Sequence, residues 1–318
     1  MRAIVIHEFG GRDKLLYADV PQPEPADGEV LIRVHAAGIN PVDWKIREGN
    51  LKDRGIPHQF PLIPGWDLAG VVEQRGLGAK RFQIGEAVYA YCRRSIIHNG
   101  TYAQYICLPE SYLSRKPVNL SFEEAACVPL AALTAYQALF DAAGLQKGET
   151  VLIVGASGGV GSFAVQLAKN AEAEVTAVAG AEHQAYLKQL GADHTLDYQR
   201  EDFRQGLKAL HPQGVDLAFA CAGGESLIKA YDCVRPGGRL ATIVEKGDEA
   251  LARQKGIHLL YVFVEPNAAQ LDILRTHLEY GRLKVHVSRV FEWTQITQAH
   301  QHIESGHTRG KIVLKTLI

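Results

Sequence analysis

The chain has little sulfur and no excess of charge. Its 318 residues hold one methionine, three tryptophans and five cysteines. Cys92, Cys107, Cys127, Cys221 and Cys233 are odd in number and form no C-x-x-C pair, so neither a disulfide framework nor a structural zinc lobe is expected. Small buried hydrophobes are the expected use of most of them. Lys and Arg (34) nearly balance Asp and Glu (35), for a formal charge of -1, and no dense basic block appears, so nucleic acid is excluded as a main partner. No apolar run approaches the ~18 residues of a membrane span, and the opening MRAIVIHEFGGRDK lacks the long apolar core and small-residue cleavage site of a signal peptide. A cytoplasmic protein with no membrane partner is the expectation.

Length supplies the next constraint, because 318 residues exceed what one hydrophobic core usually covers, and two domains follow. Residues 1–115 read as short strands broken by turns: RAIVIHEF, VLIRVHAAGIN, LAGVVEQRG and EAVYAYC. That is an all-β module. From Gly148 apolar strand-length runs (ETVLIVGA, EVTAVAG, DHTLDY, VDLAFACA, RLATIVE, HLLYVFVE) are separated in several places by helical segments such as GVGSFAVQLAKNA and EDFRQGLKAL. Strands buried on both faces with crossover helices between them predict a parallel, doubly wound α/β sheet. The tail reads as a helix, a second helix and a final strand.

The stretch VLIVGASGGVGSF, residues 151–163, places four glycines in a strand-to-helix turn. Such a turn lets backbone approach a pyrophosphate while helix N-terminal amides and the positive dipole end face it. Gly158 and Gly161 match the second and third glycines of the dinucleotide fingerprint, and Ala156 stands where the first would be. Ala156, Ser157, Gly158, Gly159 and Val160 are therefore candidate cofactor contacts, with a plain βα turn as the competing reading. At the end of the second strand, where NAD-binding folds usually carry a carboxylate for the ribose 2′-hydroxyl, the chain has Ala179-Gly180-Ala181, and Glu182 follows. That favours NADPH.

Taken in order, AAGINPVDWKIREG (36–50), PLIPGWDLAGVV (61–72), GTYAQY (100–105), PLAALTAYQAL (129–139), the glycine-rich stretch and GHTRGKIVL (306–314) resemble the medium-chain dehydrogenase/reductase superfamily. Within it the chain is similar to the zinc-independent quinone oxidoreductases related to zeta-crystallin. The resemblance spans essentially the whole chain. It implies a GroES-like catalytic domain, residues 1–122 with 265–318 returning to it, and a central Rossmann domain, residues 123–264, with the active site in the cleft between them. It also implies NADPH-dependent reduction of quinones or α,β-unsaturated carbonyl compounds, and a homodimer joined through the outer Rossmann strand, for which HLLYVFVE (258–265) is the candidate.

Several residue roles come from the same comparison. The zinc-dependent alcohol dehydrogenases hold their metal with a Cys, a His and a Cys at the positions matching Asn40, Trp66 and Leu130, and indole, alkyl and amide groups are no such set. No metal is expected. Without a Lewis acid an alkoxide is hard to stabilise, whereas a quinone or enone is already electrophilic and needs only hydrogen-bond donors for its developing oxyanion. Asn40, ahead of Pro41, is a candidate donor to substrate or carboxamide, or else a turn cap. Trp44 stands where many relatives carry Tyr, and Thr134 aligns with a threonine near the nicotinamide or is a core-facing helix residue. Gly180, His183 and Tyr198 are candidates for the adenosine end, His183 falling where NADPH-specific relatives can have Lys. Cys221 and Ala222, at the carboxyl edge of the fourth strand, and Phe263 complete the cofactor set. His300 and His302, two apart on a helix, point to nearly opposite sides and read as solvated. Two other functions stay open: an NADPH-binding sensor or structural protein with little turnover, kept alive by Trp44, and single-stranded RNA binding as a side activity.

Overall fold

In the computed structural model, residues 1–52 and 55–317 are described. The chain divides into one unit of Met1–Leu130 with the segment from Glu265 onward, and a second of Ala131–Val264. Residues 123–130, which the resemblance assigns to the Rossmann domain, fall in the first unit. The short helix Phe122–Ala126 belongs to it, started by a reciprocal cap in which Ser121 accepts from the Glu124 N–H at 3.1 Å and Glu124 from the Ser121 N–H at 2.9 Å. This helix lies so close to the sheet that a Cβ on Gly38 would sit 2.2 Å from the Ala126 carbonyl oxygen.

The first unit is built on a seven-stranded sheet. Val287–Phe291, Lys311–Lys315, Glu29–Ile39, Asp67–Arg75, Ala87–Tyr91 and Leu113–Arg115 follow one another across it, and Tyr105–Pro109 also pairs with Glu29–Ile39. Alternation explains the core: Val30, Ile32 and Val34 face the same way and meet Leu68, Val72 and Phe82. Each such buried aliphatic contributes about 1.5–3 kcal/mol. The C-terminal strand is antiparallel to Glu29–Ile39 with Ile312 opposite Ile39 and Val313 opposite Gly38, which brings Lys311 beside Asn40. The strand Val287–Phe291 was not expected; with Ser288, Arg289 and Val290 exposed, it carries no apolar alternation to reveal it.

The second unit holds a six-stranded sheet, parallel throughout, in the spatial order His194–Asp197, Glu174–Ala179, Thr150–Val154, Val215–Ala220, Val234–Thr242, His258–Tyr261. Val151, Leu152, Ile153 and Val154 are buried on both faces, which is why this strand reads as an unbroken apolar run. From it the chain first builds outward on one side and then returns to the other. That reversal makes a topological switch beside Thr150–Val154, where ligands of open α/β sheets bind at the carboxyl ends. The outer strand covers only His258–Tyr261 rather than 258–265, since its partner strand ends at Thr242. Among the described residues no helix is long and apolar enough to cross a membrane.

Candidate active site

The glycine-rich turn of the second unit uses its glycines differently from the fingerprint read off the sequence. Gly155, not the residue after it, takes the positive φ (77°), and Ala156 is wholly buried with its N–H on the Val178 carbonyl at 3.0 Å. The helix Gly159–Asn170 then starts from Gly158 with no side chain capping its first turn. Gly161 is required for packing, because a Cβ there would lie 2.3 Å from the Gly155 carbonyl oxygen. Val160, Phe163 and Leu167 form one face, the last two buried. Ser157, Gly158, Gly159 and Val160 are partly exposed at this N-terminus, so backbone amides and the positive dipole end face a ligand position at the switch point. The turn fits a dinucleotide pyrophosphate.

The carboxyl end of Glu174–Ala179 lies beside an acidic side chain. Gly180 is buried, and the Glu182 carboxylate folds over it, 2.9 Å from where a Gly180 Cβ would be. His183 is half-buried, its Nε2 3.5 Å from the same carboxylate. Tyr198 is 49% exposed in the turn after His194–Asp197. On the other side of the switch Cys221 and Ala222 are half-buried at the end of Val215–Ala220, and desolvation pushes the Cys221 thiol well up, which keeps it neutral. Phe263 is half-buried just beyond the outer strand. Thr134 is 4% exposed in the helix Pro129–Tyr136.

The first unit contains a buried ionic cluster that sequence reading missed. Asn40 precedes the helix Pro41–Arg47, and Asp43 reaches back to accept its backbone N–H at 2.7 Å. The Asn40 side chain, 2% exposed, donates from Nδ2 to Asp67 Oδ2 at 2.9 Å and accepts at Oδ1 from Lys311 Nζ. Asn40 is therefore not the open donor expected from the sequence; both ends of its amide are engaged inside the protein. Asp67 is completely buried and also accepts the Leu130 N–H at Oδ1, at 2.8 Å, with Lys311 Nζ 3.6 Å from Oδ2. Tyr102 donates to Asp43 Oδ2 at 3.1 Å. One ammonium thus faces two buried carboxyls. Burial raises Asp43 to about 7 and Asp67 to about 6, the hydrogen bonds and Lys311 only partly offsetting it.

The far end of the same helix is pinned as well. Arg47, 1% exposed, donates from Nε to the Gly10 carbonyl at 3.0 Å and from Nη1 to Glu304 at 2.7 Å. His300 is not solvated but wholly buried, 3.0 Å from Arg47 Nη1 through Nδ1. Burial, then the Arg47 charge, lower it to about 3, so it is a neutral acceptor here. Its position next to polar Gln301 and His302 hid this role, since only tertiary contact turns that helix face inward. Trp44, half-buried on the pinned helix, has Lys45 Nζ 5.7 Å from its ring centroid.

The positions matching the zinc ligands of the alcohol dehydrogenases hold no metal-binding chemistry. Trp66 packs edge-on to Tyr91 at 6.0 Å, Leu130 contributes its backbone N–H, and Asn40 is bonded to Asp67 and Lys311. Among the described residues no group of three or more His, Cys, Asp or Glu side chains could hold a metal ion.

Residues 26–118 match the alcohol dehydrogenase GroES-like domain, and residues 190–314 the zinc-binding dehydrogenase family. The chain is 32% identical to the chloroplast envelope quinone oxidoreductase homolog of Arabidopsis thaliana, over 99% of this chain and 98% of that protein. It is also 32% identical to the chloroplastic NADPH-dependent alkenal/one oxidoreductase of the same plant, over 99% of this chain and 79% of that one. The solved structure of the quinone oxidoreductase from Coxiella burnetii superposes with a TM-score of 0.89 at 33% identity, covering 100% of this chain and 99% of the other. A GroES-like β unit, a Rossmann sheet and relatives aligned along nearly their full length place the chain in the quinone-oxidoreductase branch of the medium-chain dehydrogenase/reductase family.

Proposed function

We propose that the protein is an NADPH-dependent oxidoreductase that transfers hydride to quinones or α,β-unsaturated carbonyl compounds without a metal. The observation that carries the reading is the bare, uncapped helix N-terminus at the topological switch of a six-stranded parallel sheet, in a chain whose relatives are named for these two acceptor classes. The nicotinamide, when bound, supplies the hydride. The turn Gly155–Gly161 holds the pyrophosphate with backbone N–H groups, and Ala179-Gly180 places no carboxylate of its own against a phosphate on the adenosine ribose. Glu182 lies near that phosphate, its carboxylate 3.5 Å from His183 Nε2. His183 and Tyr198 are the side chains we assign to the adenosine end, and Cys221, Ala222 and Phe263 to the other half.

An acceptor whose charge spreads over a conjugated carbonyl needs neutral donors rather than a Lewis acid. With Asn40 committed internally, the indole N–H of Trp44 is the donor we assign on that helix, and Asn40 acts by holding the helix in place. The test is oxidation of NADPH and of NADH, followed with a panel of quinones, enals and enones, before and after dialysis against a chelator. Turnover with at least one acceptor class, faster with NADPH and unchanged by the chelator, is expected. Tight NADPH binding with no turnover on any acceptor would favour a sensor or structural role instead.

A further inference from the structure

A loop at the carboxyl edge of the Rossmann sheet carries a carboxylate, Glu245, that the cofactor reading leaves without a role. With pyrophosphate at Gly158–Val160 and the adenosine ribose at the end of Glu174–Ala179, the other half of a dinucleotide must run the opposite way, across the ends of Val215–Ala220 and Val234–Thr242. Glu245 sits in the loop after the second of these strands and reaches back to the turn after the first. Its Oε1 accepts the Gly224 N–H at 2.6 Å. The same oxygen is 2.5 Å from where a Gly223 Cβ would be, so the carboxylate lies directly against this turn. Thr242 Oγ1 donates to the Glu245 carbonyl at 3.1 Å and ties the loop to its own strand.

This turn also adjoins the pyrophosphate turn. A Cβ on Gly155 would meet the Ala222 methyl and N–H at 3.4 Å. Chemically, the piece of the ligand that follows the pyrophosphate in this direction is a ribose, which presents two vicinal hydroxyl donors. A carboxylate accepts through about four lone-pair sites, and the Gly224 N–H uses one of them. We propose that Glu245 is a binding residue for the nicotinamide-nucleoside half of the cofactor, accepting hydrogen bonds from its ribose hydroxyls. The assignment rests on the dinucleotide reading above and adds to it the side chain that grips the second nucleoside.

Fluorescence titration of the full-length protein tests it, with NADPH and NADH as whole ligands and 2′,5′-ADP and ADP as the adenosine halves alone. Glu245→Ala should weaken the better dinucleotide about tenfold and leave its adenosine half within about twofold. Glu245→Gln keeps an acceptor for Gly224 and should shift the dinucleotide in the same direction by less, with the thermal unfolding midpoint of both variants near wild type. Unchanged dinucleotide affinity in Glu245→Ala, or a parallel loss on the adenosine half, overturns the assignment. A wild-type protein that binds neither dinucleotide overturns the cofactor reading itself, and the assignment with it.

Discussion

Replacing Asp43 with Asn removes the carboxyl whose ionisation the interior of the first unit opposes most. Asp43 is completely buried, accepts from the Asn40 N–H and the Tyr102 hydroxyl, and is pushed up to about 7 by burial. In the unfolded chain its pKa is about 3.9. Between these values the folded protein keeps a proton that the unfolded chain has released, so the contribution of Asp43 to stability is greatest below the unfolded value. It is lost as pH rises toward the folded value and is flat above it. Over about 3 pH units at about 1.4 kcal/mol each, the swing is on the order of 4 kcal/mol. Asn accepts the same two hydrogen bonds and does not titrate; its Nδ2 replaces an oxygen that has no partner, which shifts stability by an amount independent of pH. Urea unfolding at about pH 5 and about pH 8 should therefore show the difference between Asp43→Asn and wild type moving by about 3 kcal/mol in favour of the variant. Trp44, Trp66 and Trp293 are the only tryptophans and all lie in the first unit, so their fluorescence follows that unit. A difference that stays the same at both pH values would refute the picture of a carboxyl kept neutral by burial.

Four further expectations concern single positions. Asn40→Ala deprives Asp67 of one donor and Lys311 of an acceptor, so it should lower the unfolding free energy by about 1–3 kcal/mol along with kcat; lost turnover at full stability would return Asn40 to direct substrate contact. Ala179→Asp puts a carboxylate at the end of the second strand and should cut the NADPH-to-NADH ratio of kcat/KM at least about tenfold, so an unaltered ratio would place the phosphate elsewhere. Gly161→Ala drives a methyl to 2.3 Å from the Gly155 carbonyl oxygen. Calorimetry should show the second unit destabilised by about 1–3 kcal/mol, with weaker dinucleotide binding, and wild-type values for both would remove the close-packing argument. The outer strand His258–Tyr261 leaves one edge unpaired within the six-stranded sheet, and we propose that a second copy covers it. Light scattering should give a dimer mass that Leu260→Lys lowers toward the monomer, whereas a wild-type monomer at micromolar concentration would contradict it.

The second unit was legible in the sequence because its determinants are local. Doubly buried strands read as apolar runs, and a glycine turn between a strand and a helix follows from steric rules that act over a few residues. Even there, which glycine turns the chain was decided by register: Ala156 continues the ladder to Val178, so the positive φ falls on Gly155. The strand Val287–Phe291 went unseen because three of its residues face solvent and only its pairing with Lys311–Lys315 identifies it.

The cluster around Asn40 belongs wholly to tertiary structure. Asn40, Asp43 and Asp67 are ordinary polar letters in strand-to-helix and strand segments, and Lys311 lies 271 positions along the chain from Asn40. Nothing in local pattern says that the C-terminal strand will pair with Glu29–Ile39 and carry an ammonium to two buried carboxyls, or that His300 will meet Arg47. By itself the sequence determined the fold class, the glycine-rich strand-to-helix turn and the residue types at the positions matching the zinc ligands, because backbone sterics and ligand chemistry depend on residue identity alone. The upward shift of Asp43 and Asp67, the neutrality of His300 and the engagement of the Asn40 amide were decided only on folding. Each depends on desolvation and on partners brought from distant parts of the chain, and both are properties of the packed interior.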